Sequence, residues 1–437
     1  MAEATAITHG RVLRIAGPIV LSNATVPLLG AVDTGVIGQM GQAAPIGAVG
    51  LGAVVLATFY WVFGFLRMGT TGLAAQAHGS GDEMERTAVL ARALLVGLAA
   101  GGSFVLGQAA LFWLAFRISP ASVEVEALAR QYLAIRIWGA PATIALYAVT
   151  GWLIALERTR GVLVLQLWMN GLNILLSIWF VLGLGWAVPG VATATLIAEW
   201  SGLGLGLWLC RDGLAGFGAA RARLLDGVAL RRMVSVNGDI MIRSVLLQGS
   251  FTAFLFFGAG LGDVTLAANQ VLMQFVEITA YALDGFAFAA ETLVGQAVGA
   301  RARPALRRSV AIAFQWGIGG AAALALLFGL TGPRIIDLMT TAPEVRETAR
   351  HYLGWMVAAP LIGIASWMYD GVYIGATATT AMRNAMILCV ALYAVALAIL
   401  LPPFGNHGLW ASLMVLNILR GVTLGLGWPR IEARLTT

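Results

Sequence analysis

Apolar stretches long enough to cross a membrane recur along the whole chain, and they constrain its fold more than any other feature. A membrane-spanning helix needs about 20 predominantly apolar residues. Twelve stretches meet this requirement, at residues 15–38, 46–72, 88–116, 133–156, 162–183, 188–210, 233–258, 265–292, 309–330, 352–376, 384–402 and 408–428. The sequence therefore predicts an all-α polytopic membrane protein with twelve transmembrane helices.

The composition and the placement of the arginines agree with this prediction. Only 11% of the 437 residues are charged, whereas a soluble domain has about 25% charged residues. The termini and the loops after even-numbered spans hold 17 arginines. The opposite loops hold five, namely Arg117, Arg130, Arg334, Arg346 and Arg350. Because basic residues favour the cytoplasmic side, both termini are expected in the cytoplasm, and the net charge of +6 needs no nucleic-acid partner.

The two halves of the chain repeat each other. Residues 75–79 match residues 295–299, residues 124–125 and 129–133 match residues 344–345 and 349–353, and Gly151 matches Gly371, all at a separation of 220 residues. Six spans return the chain to the same side of the membrane, so the two repeats are parallel. We predict two pseudo-symmetric six-helix lobes, an N-lobe at residues 1–210 and a C-lobe at residues 232–437, joined by a cytoplasmic linker at residues 211–231. This plan is typical of an alternating-access transporter.

The first span carries one carboxylate, Asp33, within the run GPIVLSNATVPLLGAVDTGVIGQMG at residues 17–41. A carboxylate at bilayer depth costs roughly 2.5–3.5 kcal/mol on insertion scales, and such residues are usually functional. We therefore predict that Asp33 takes up and releases a proton, and that Pro18 allows the helix to bend. The alternative is a buried polar group that neighbouring backbone or hydroxyl groups satisfy.

The fifth and sixth spans carry further polar groups: Asn170, Asn173 and Ser177 in the fifth, and Thr193, Thr195 and Glu199 in the sixth. The spacing in the fifth span places its three side chains on one helical face. They are candidates to converge with the sixth span on Asp33. Polar side chains that only hold membrane helices together are an equal alternative.

The second half carries ionisable groups of its own, namely Asp239, Arg243, Glu277, Asp284 and Asp370. Asp239 and Arg243 are four residues apart on one helix, which suits an ion pair. We predict that Arg243 pairs with Asp239 or with Glu277. These carboxylates are also candidates for a secondary ion or substrate site.

Three arginines, Arg67, Arg92 and Arg136, lie near predicted span ends. Their long side chains are expected to extend to the membrane interface.

The sequence offers no enzyme chemistry. The four histidines lie outside the deep spans, and no Cys/His spacing suits a metal. A Gly-Lys phosphate-binding loop is impossible because the chain has no lysine. We therefore expect no cofactor and no bound metal. Transport is expected to be coupled to an ion gradient, with H⁺ as the ion and Na⁺ as the alternative.

Three segments resemble a known transporter family. Residues 27–34, PLLGAVDT, resemble the first span of the MATE multidrug and toxin extruders. Residues 281–291, YALDGFAFAAE, and residues 370–377, DGVYIGAT, resemble the DinF (DNA-damage-inducible) branch of that family. The resemblance covers the whole chain. It implies twelve helices in two lobes that exchange amphipathic cations for protons or sodium.

The resemblance also implies a site. In this branch the first-span aspartate binds the proton, with an Asn, an Asp and a Thr from the fifth and sixth spans around it. Those positions match Asn173, Ser177 and Thr195, so a serine replaces the second acidic residue and Asp33 is left as the sole carboxylate of the cluster. Pro18 matches the proline at which the first span bends.

The sequence thus predicts a proton-coupled antiporter that exports amphipathic, cationic or neutral organic compounds from a bacterial plasma membrane. The expected partners are these small molecules and membrane lipids, and a monomer is expected. One alternative is a sodium-coupled exporter that uses the C-lobe carboxylates. Another is a flippase for lipid-linked precursors, which should line its cavity with several arginines, whereas Arg243 is the main deep arginine of the predicted spans. A channel fits poorly with the proline-rich first span.

Overall fold

The computed structural model describes residues 6–39, 41–118, 122–433 and 435, and within them all regular structure is helical. The first half contains α1 (His9–Gly38), α2 (Ala43–Val62), α3 (Gly64–Gly79), α4 (Glu83–Leu106), α5 (Gln108–Ile118), α6 (Val123–Arg136), α7 (Ala140–Ala155), α8 (Thr159–Ser177), α9 (Ala187–Leu209), α10 (Arg211–Ala215) and α11 (Phe217–Leu224). A 3₁₀ turn at Ile137–Gly139 joins α6 to α7, and a π-helical turn at Ile178–Gly183 follows α8. The predicted all-α fold class is confirmed.

The second half consists of five long helices: α12 (Gly227–Ala259), α13 (Asp263–Gly299), α14 (Arg303–Met339), α15 (Pro343–Gly375) and α16 (Thr379–Ala433). Helix α16 is interrupted at Gly405, whose φ of 53° and ψ of −129° are not helical. Glycine takes this conformation without the steric cost that a Cβ would add. The interruption separates the predicted spans 384–402 and 408–428, so α16 comprises two membrane helices.

Ten helical segments of the described chain are long and apolar enough to cross a membrane, when α2 with α3 and α6 with α7 are each taken as one. The interruption of α16 adds one span, and the 23-residue helix α9 matches the remaining prediction. All twelve predicted spans therefore coincide with helices. The second, third and fourth spans are not single helices, however, since short breaks divide each of them.

Backbone contacts divide the chain into two compact units. One unit comprises Leu21–Met233, and the other comprises Met1–Val20 together with Val234–Thr437. Helix α1 contributes to both units, because the boundary lies within it, two residues after Pro18. The division into lobes at residues 1–210, 211–231 and 232–437 remains a prediction.

The 220-residue repeat is visible in the backbone. Helices α3 and α13 are each followed by a residue in the left-handed conformation. These residues are Gly81, with φ 73°, and Arg301, with φ 52°. Both ends close with the same pair of hydrogen bonds, which is the Schellman arrangement. Helices α7 and α15 end likewise, at Glu157 and Thr377. Each pair of residues is 220 apart, so the repeat found in the sequence is a repeat of local structure.

The repeated glycines explain how close these helices lie. A Cβ on Gly151 of α7 would overlap the carbonyl of Arg67 on α3. A Cβ on Gly371 of α15 would overlap the carbonyl of Ala287 on α13. Arg67 and Ala287 are also 220 residues apart, so both halves use the same glycine-mediated helix contact.

Candidate functional site

The first polar site lies where α1 meets α8, within the unit Leu21–Met233. The Ser177 hydroxyl lies 3.3 Å from Oδ1 of Asp33 and can donate to it. Ser177 is fully buried and is the last residue of α8, just before the π-helical turn. Asp33 is half-buried. The sole carboxylate of the first span thus has a hydroxyl group as its hydrogen-bond partner.

The site continues from Ser177 to α9. Oγ of Ser177 also lies 3.4 Å from Oδ1 of Asn173, one turn earlier on α8. The Asn173 amide then donates to the Thr195 hydroxyl at 2.8 Å, and that hydroxyl donates to the carbonyl of Val191 at 3.0 Å. A continuous polar chain therefore runs from Asp33 on α1 through α8 to α9. We call Asp33, Ser177, Asn173 and Thr195 the coupling cluster.

Asn170, which lies about one turn before Asn173 on α8, also connects α8 to α1. Its amide donates to the Thr25 hydroxyl on α1 at 3.0 Å, and its carbonyl oxygen accepts from Gln166 at 3.0 Å. Asn170 therefore fixes α8 against α1 rather than contacting Asp33. The polar face of α8 therefore reaches Asp33 through Ser177 and holds α8 to α1 through Asn170.

An ion pair that the sequence did not predict lies in the same unit. Arg136 donates twice to the carboxylate of Glu199, at 2.6 and 2.8 Å, and both residues are buried. The prediction that Arg136 extends to the membrane interface is wrong, because a buried carboxylate holds it. Arg92 is also buried and donates to Glu85 at 2.9 Å. The charge of Arg136 acts on Asp33, so this ion pair belongs to the electrostatic surroundings of the coupling cluster.

Pro18 lies in the N-terminal part of α1, and the helix continues through it from His9 to Gly38. The backbone near Pro18 is tightly packed, because a Cβ on Gly285 of α13 would overlap Val20 and the carbonyl of Ala16. The start of α1 is therefore anchored on α13.

The second polar site lies in the other unit, where two buried arginines share one carboxylate. Arg243 on α12 and Arg420 on α16 both donate to Oδ2 of Asp370 on α15, the latter at 2.6 Å. Arg420 also donates to Asn417 at 3.1 Å. The predicted pairing of Arg243 with Asp239 or Glu277 is wrong. The partner is 127 residues away in the sequence, so helix periodicity could not reveal it.

Asp239 has a different set of partners. It accepts from Arg383 at 2.6 Å, from Thr380 at 2.6 Å and from Thr379 at 3.1 Å, all on α16. The i, i+4 arrangement with Arg243 is therefore not an ion pair. Of the other carboxylates, Asp284 is half-buried on α13 and interacts electrostatically with Arg243, whereas Glu277 is exposed on the same helix.

The two sites differ in chemistry. In the coupling cluster a carboxylate has neutral hydrogen-bond partners, so gaining a proton changes the charge of the whole cluster. In the second site, both Asp239 and Asp370 are already paired with guanidinium groups. A carboxylate paired in this way binds a proton or a metal cation only if the arginine gives way.

Comparison with known proteins identifies the family to which this chain belongs. The MatE family model matches residues 18–179 and residues 240–400, one segment in each repeat. This chain belongs to the MatE family. The family consists of membrane transporters, so the protein is a multi-pass membrane transporter and not an enzyme.

Individual relatives agree with the family model. The chain is 39% identical to DNA damage-inducible protein F of Escherichia coli over 426 residues, which cover 95% of this chain and 91% of that protein. It is 27% identical to the probable multidrug resistance protein NorM of Pseudomonas aeruginosa, over 95% of this chain and 88% of that protein. The predicted resemblance to MATE transporters and to their DinF branch is confirmed.

The fold is also that of solved MATE structures. A crystal structure of MATE in the bent conformation matches 98% of this chain and 97% of its own, with a TM-score of 0.86 and 18% identity. The Vibrio cholerae MATE transporter VcmN in the bent form matches the same shares, with a TM-score of 0.86 and 19% identity. The twelve-helix MATE fold is therefore shown.

Proposed function

We propose that this transporter is a secondary active antiporter that exports amphipathic organic compounds in exchange for protons by alternating access. The observation that carries the proposal is the coupling cluster. Asp33 is its sole carboxylate, and the hydrogen bonds described for it come from a neutral hydroxyl. One proton therefore changes the charge of this cluster by a full unit, without breaking an ion pair.

The single proton of Ser177 gives the cluster two states. An ionised carboxylate only accepts hydrogen bonds, so the hydroxyl donates to Asp33 while Asp33 is charged. A protonated Asp33 can donate instead, and the Ser177 proton can then turn to Oδ1 of Asn173, 3.4 Å away. Protonation thus changes the hydrogen bonds that hold α1 to α8. A proton shifts the conformational equilibrium to the extent that it binds one state more tightly.

Helix α1 is the element through which this change would act. Its start packs on α13, and its remainder carries Asp33 in the other unit. Pro18 is the proposed hinge, because a proline lacks one backbone hydrogen bond and lowers the cost of bending. Solved MATE structures of this fold are described as bent in one case and straight in another, which agrees with a hinge.

The names of the relatives support the substrate class. Several are described as probable multidrug resistance proteins. We therefore propose amphipathic cationic or neutral compounds as substrates, and a monomer in the bacterial plasma membrane with both termini in the cytoplasm. Membrane lipids surround it, and no nucleic acid takes part.

Two alternatives make different use of the buried charges. A sodium-coupled exporter would use the carboxylates of the second unit, but hard cations need several free oxygen ligands, and Asp239 and Asp370 already accept from arginines. A lipid-precursor flippase would need deep arginines that are available to pyrophosphate. Arg420 joins Arg243 as a second deep arginine, yet both are paired with Asp370.

The test is ethidium efflux from proteoliposomes under an imposed pH gradient, with and without sodium. Wild type should transport in sodium-free buffer. Asp33→Asn should lose proton-driven efflux and still bind ethidium, because asparagine resembles the protonated acid and cannot release a proton. Asp284→Asn is the control for loss of a half-buried carboxylate in the other unit, and it should retain efflux.

Two results would contradict the proposal. One is efflux that requires sodium at a fixed pH gradient. The other is an Asp33→Asn protein that transports like wild type while a variant of Asp239 or Asp370 that still folds is inactive, which would favour the sodium alternative.

A further inference from the structure

A second feature, separate from transport, lies at the start of α14. Three arginines, Arg303, Arg307 and Arg308, line a cavity of about 580 Å³ together with Pro304 and Ala311. We call these five residues the α14 groove. The side chains of Arg303 and Arg307 are 42% and 62% exposed, so their guanidinium groups are accessible.

The basic start of α14 is electrostatically unfavourable at Arg303, which lies in the first turn, and Arg307 and Arg308 follow in the second turn. The first turn of a helix carries a partial positive charge, and acidic residues are the ones that stabilise it. The corresponding helix of the first half has acidic residues at its start, which is the favourable arrangement. Helix α4, 220 residues earlier, has Asp82 as its N-cap and begins at Glu83, which corresponds to Arg303. The shared scaffold therefore does not require the basic start of α14.

The described chain only partly neutralises these arginines. Glu432 pairs with Arg303 at 2.9 Å and also with Arg307. Arg308 donates through Nε to the carbonyl of Ile7 at 2.6 Å, which is a neutral group. Among the residues that the structure describes, three guanidinium groups thus face one carboxylate, which leaves two positive charges near the start of α14. Such an arrangement favours binding of an anion.

The position of the groove indicates which anion. Its arginines lie directly before the predicted span at residues 309–330, on the side expected to be cytoplasmic, and Pro304 and Ala311 add an apolar wall. Basic pockets at this depth suit anionic lipid head groups, and arginine binds phosphate through parallel hydrogen bonds. We infer that the α14 groove binds the phosphate head group of an anionic phospholipid, with the acyl chains along its apolar side.

The test is native mass spectrometry of the full-length, delipidated protein with phosphatidylglycerol or phosphatidylcholine of identical acyl chains. Wild type should retain phosphatidylglycerol preferentially. Arg307→Gln/Arg308→Gln should bind phosphatidylglycerol about thirtyfold more weakly, at about 1 kcal/mol per arginine, while phosphatidylcholine binding stays the same. Arg221→Gln/Arg231→Gln removes the same charge from the linker region and is the control, with no change expected. Should the double variant fold poorly, the single change of the exposed Arg307 to Gln should still give a measurable loss.

Three outcomes would overturn the inference. One is an equal loss in the linker control, which would indicate a general charge effect. Another is an absence of any preference for phosphatidylglycerol in wild type. The third is displacement of the lipid by millimolar inorganic phosphate, which would make the groove a site for a free anion. None of these results bears on proton-driven efflux, so this inference and the proposed function can fail separately.

Discussion

The buried ion pair between Arg136 and Glu199 makes a quantitative prediction about stability. Arg136 is 7% exposed and Glu199 is 6% exposed, and two hydrogen bonds of 2.6 and 2.8 Å join them. Removing one partner leaves the other charge buried without compensation, which costs about 3–5 kcal/mol. Replacing both partners with apolar residues of similar volume removes that penalty. Arg136→Met and Glu199→Leu should therefore each destabilise the protein more than the double variant does.

The same helix offers a matched control. Glu126 and Arg130 form an ion pair of 2.7 Å on α6, but their side chains are 32% and 49% exposed. An exposed pair contributes about 0.2–1 kcal/mol, so Glu126→Leu should cost no more than that. The assay is equilibrium unfolding by sodium dodecyl sulfate in mixed micelles, followed by tryptophan fluorescence. Stability, rather than transport, is the measured quantity, because the charge of Arg136 also acts on Asp33.

A double variant that is less stable than either single variant would refute this reasoning. So would a Glu199→Leu variant whose loss equals that of Glu126→Leu, because burial would then make no difference to the ion pair.

Further predictions concern the coupling cluster, the close contacts and one helix cap. Ser177→Ala should impair proton-driven efflux and Ser177→Thr should restore it, since the hydroxyl is the group that donates to the carboxylate; equal efflux from both variants would contradict this. Gly139→Ala should lower the unfolding midpoint by an amount comparable to a broken ion pair, because a Cβ there would overlap Glu199, whereas Gly171→Ala, with no atom within 4 Å of the added Cβ, should not. Burial raises the pKa of Asp82, but the Glu85 amide and an arginine side chain outweigh it and hold the pKa below its ordinary value of 3.8. A lowered folded-state pKa stabilises the fold above the ordinary value and loses this contribution as the pH falls through the folded-state pKa. Asp82→Asn should therefore flatten the acid limb of the stability curve, and an unchanged limb would contradict the assignment.

The sequence predicted the frame of the molecule well for physical reasons. In lipid, each spanning segment must satisfy its own backbone hydrogen bonds, so a long apolar stretch is necessarily a helix. The match between Gly151 and Gly371 that the sequence showed also has a structural reason, because at both positions the missing Cβ allows a backbone carbonyl of the neighbouring helix to come close. The sequence did not predict the short helix breaks at Phe63 and Gly107, because the segments on both sides of each break are apolar.

The polar sites were predictable only where helix periodicity carries the information. Asn173 and Ser177 are one turn apart on the same face, so their proximity follows from the sequence. The ion pairs do not follow, because they join distant helices. Arg136 lies near a predicted span end and has its partner 63 residues away, whereas Asp239 has a local basic neighbour that it does not use. Tertiary packing decided these pairs, and spacing alone favoured the wrong partners.

The anchoring of α1 has a consequence for the order in which the protein is made. Its first turns contact residues far along the chain. Arg11 donates to Gln296 at 2.9 Å, and Trp316 donates to His9 at 3.2 Å, across 285 and 307 residues. At a synthesis rate of roughly 5–20 residues per second, these partners emerge about 15–60 s after the helix start does.

The start of α1 therefore leaves the ribosome long before it acquires its final neighbours. During that interval the buried apolar residues Val12 and Ile15 of α1 have no native surface to cover them. A chain truncated before α13 never supplies that surface. The start of α1 would then stay uncovered and mark the incomplete chain for proteolysis, whereas completion of the second half conceals it.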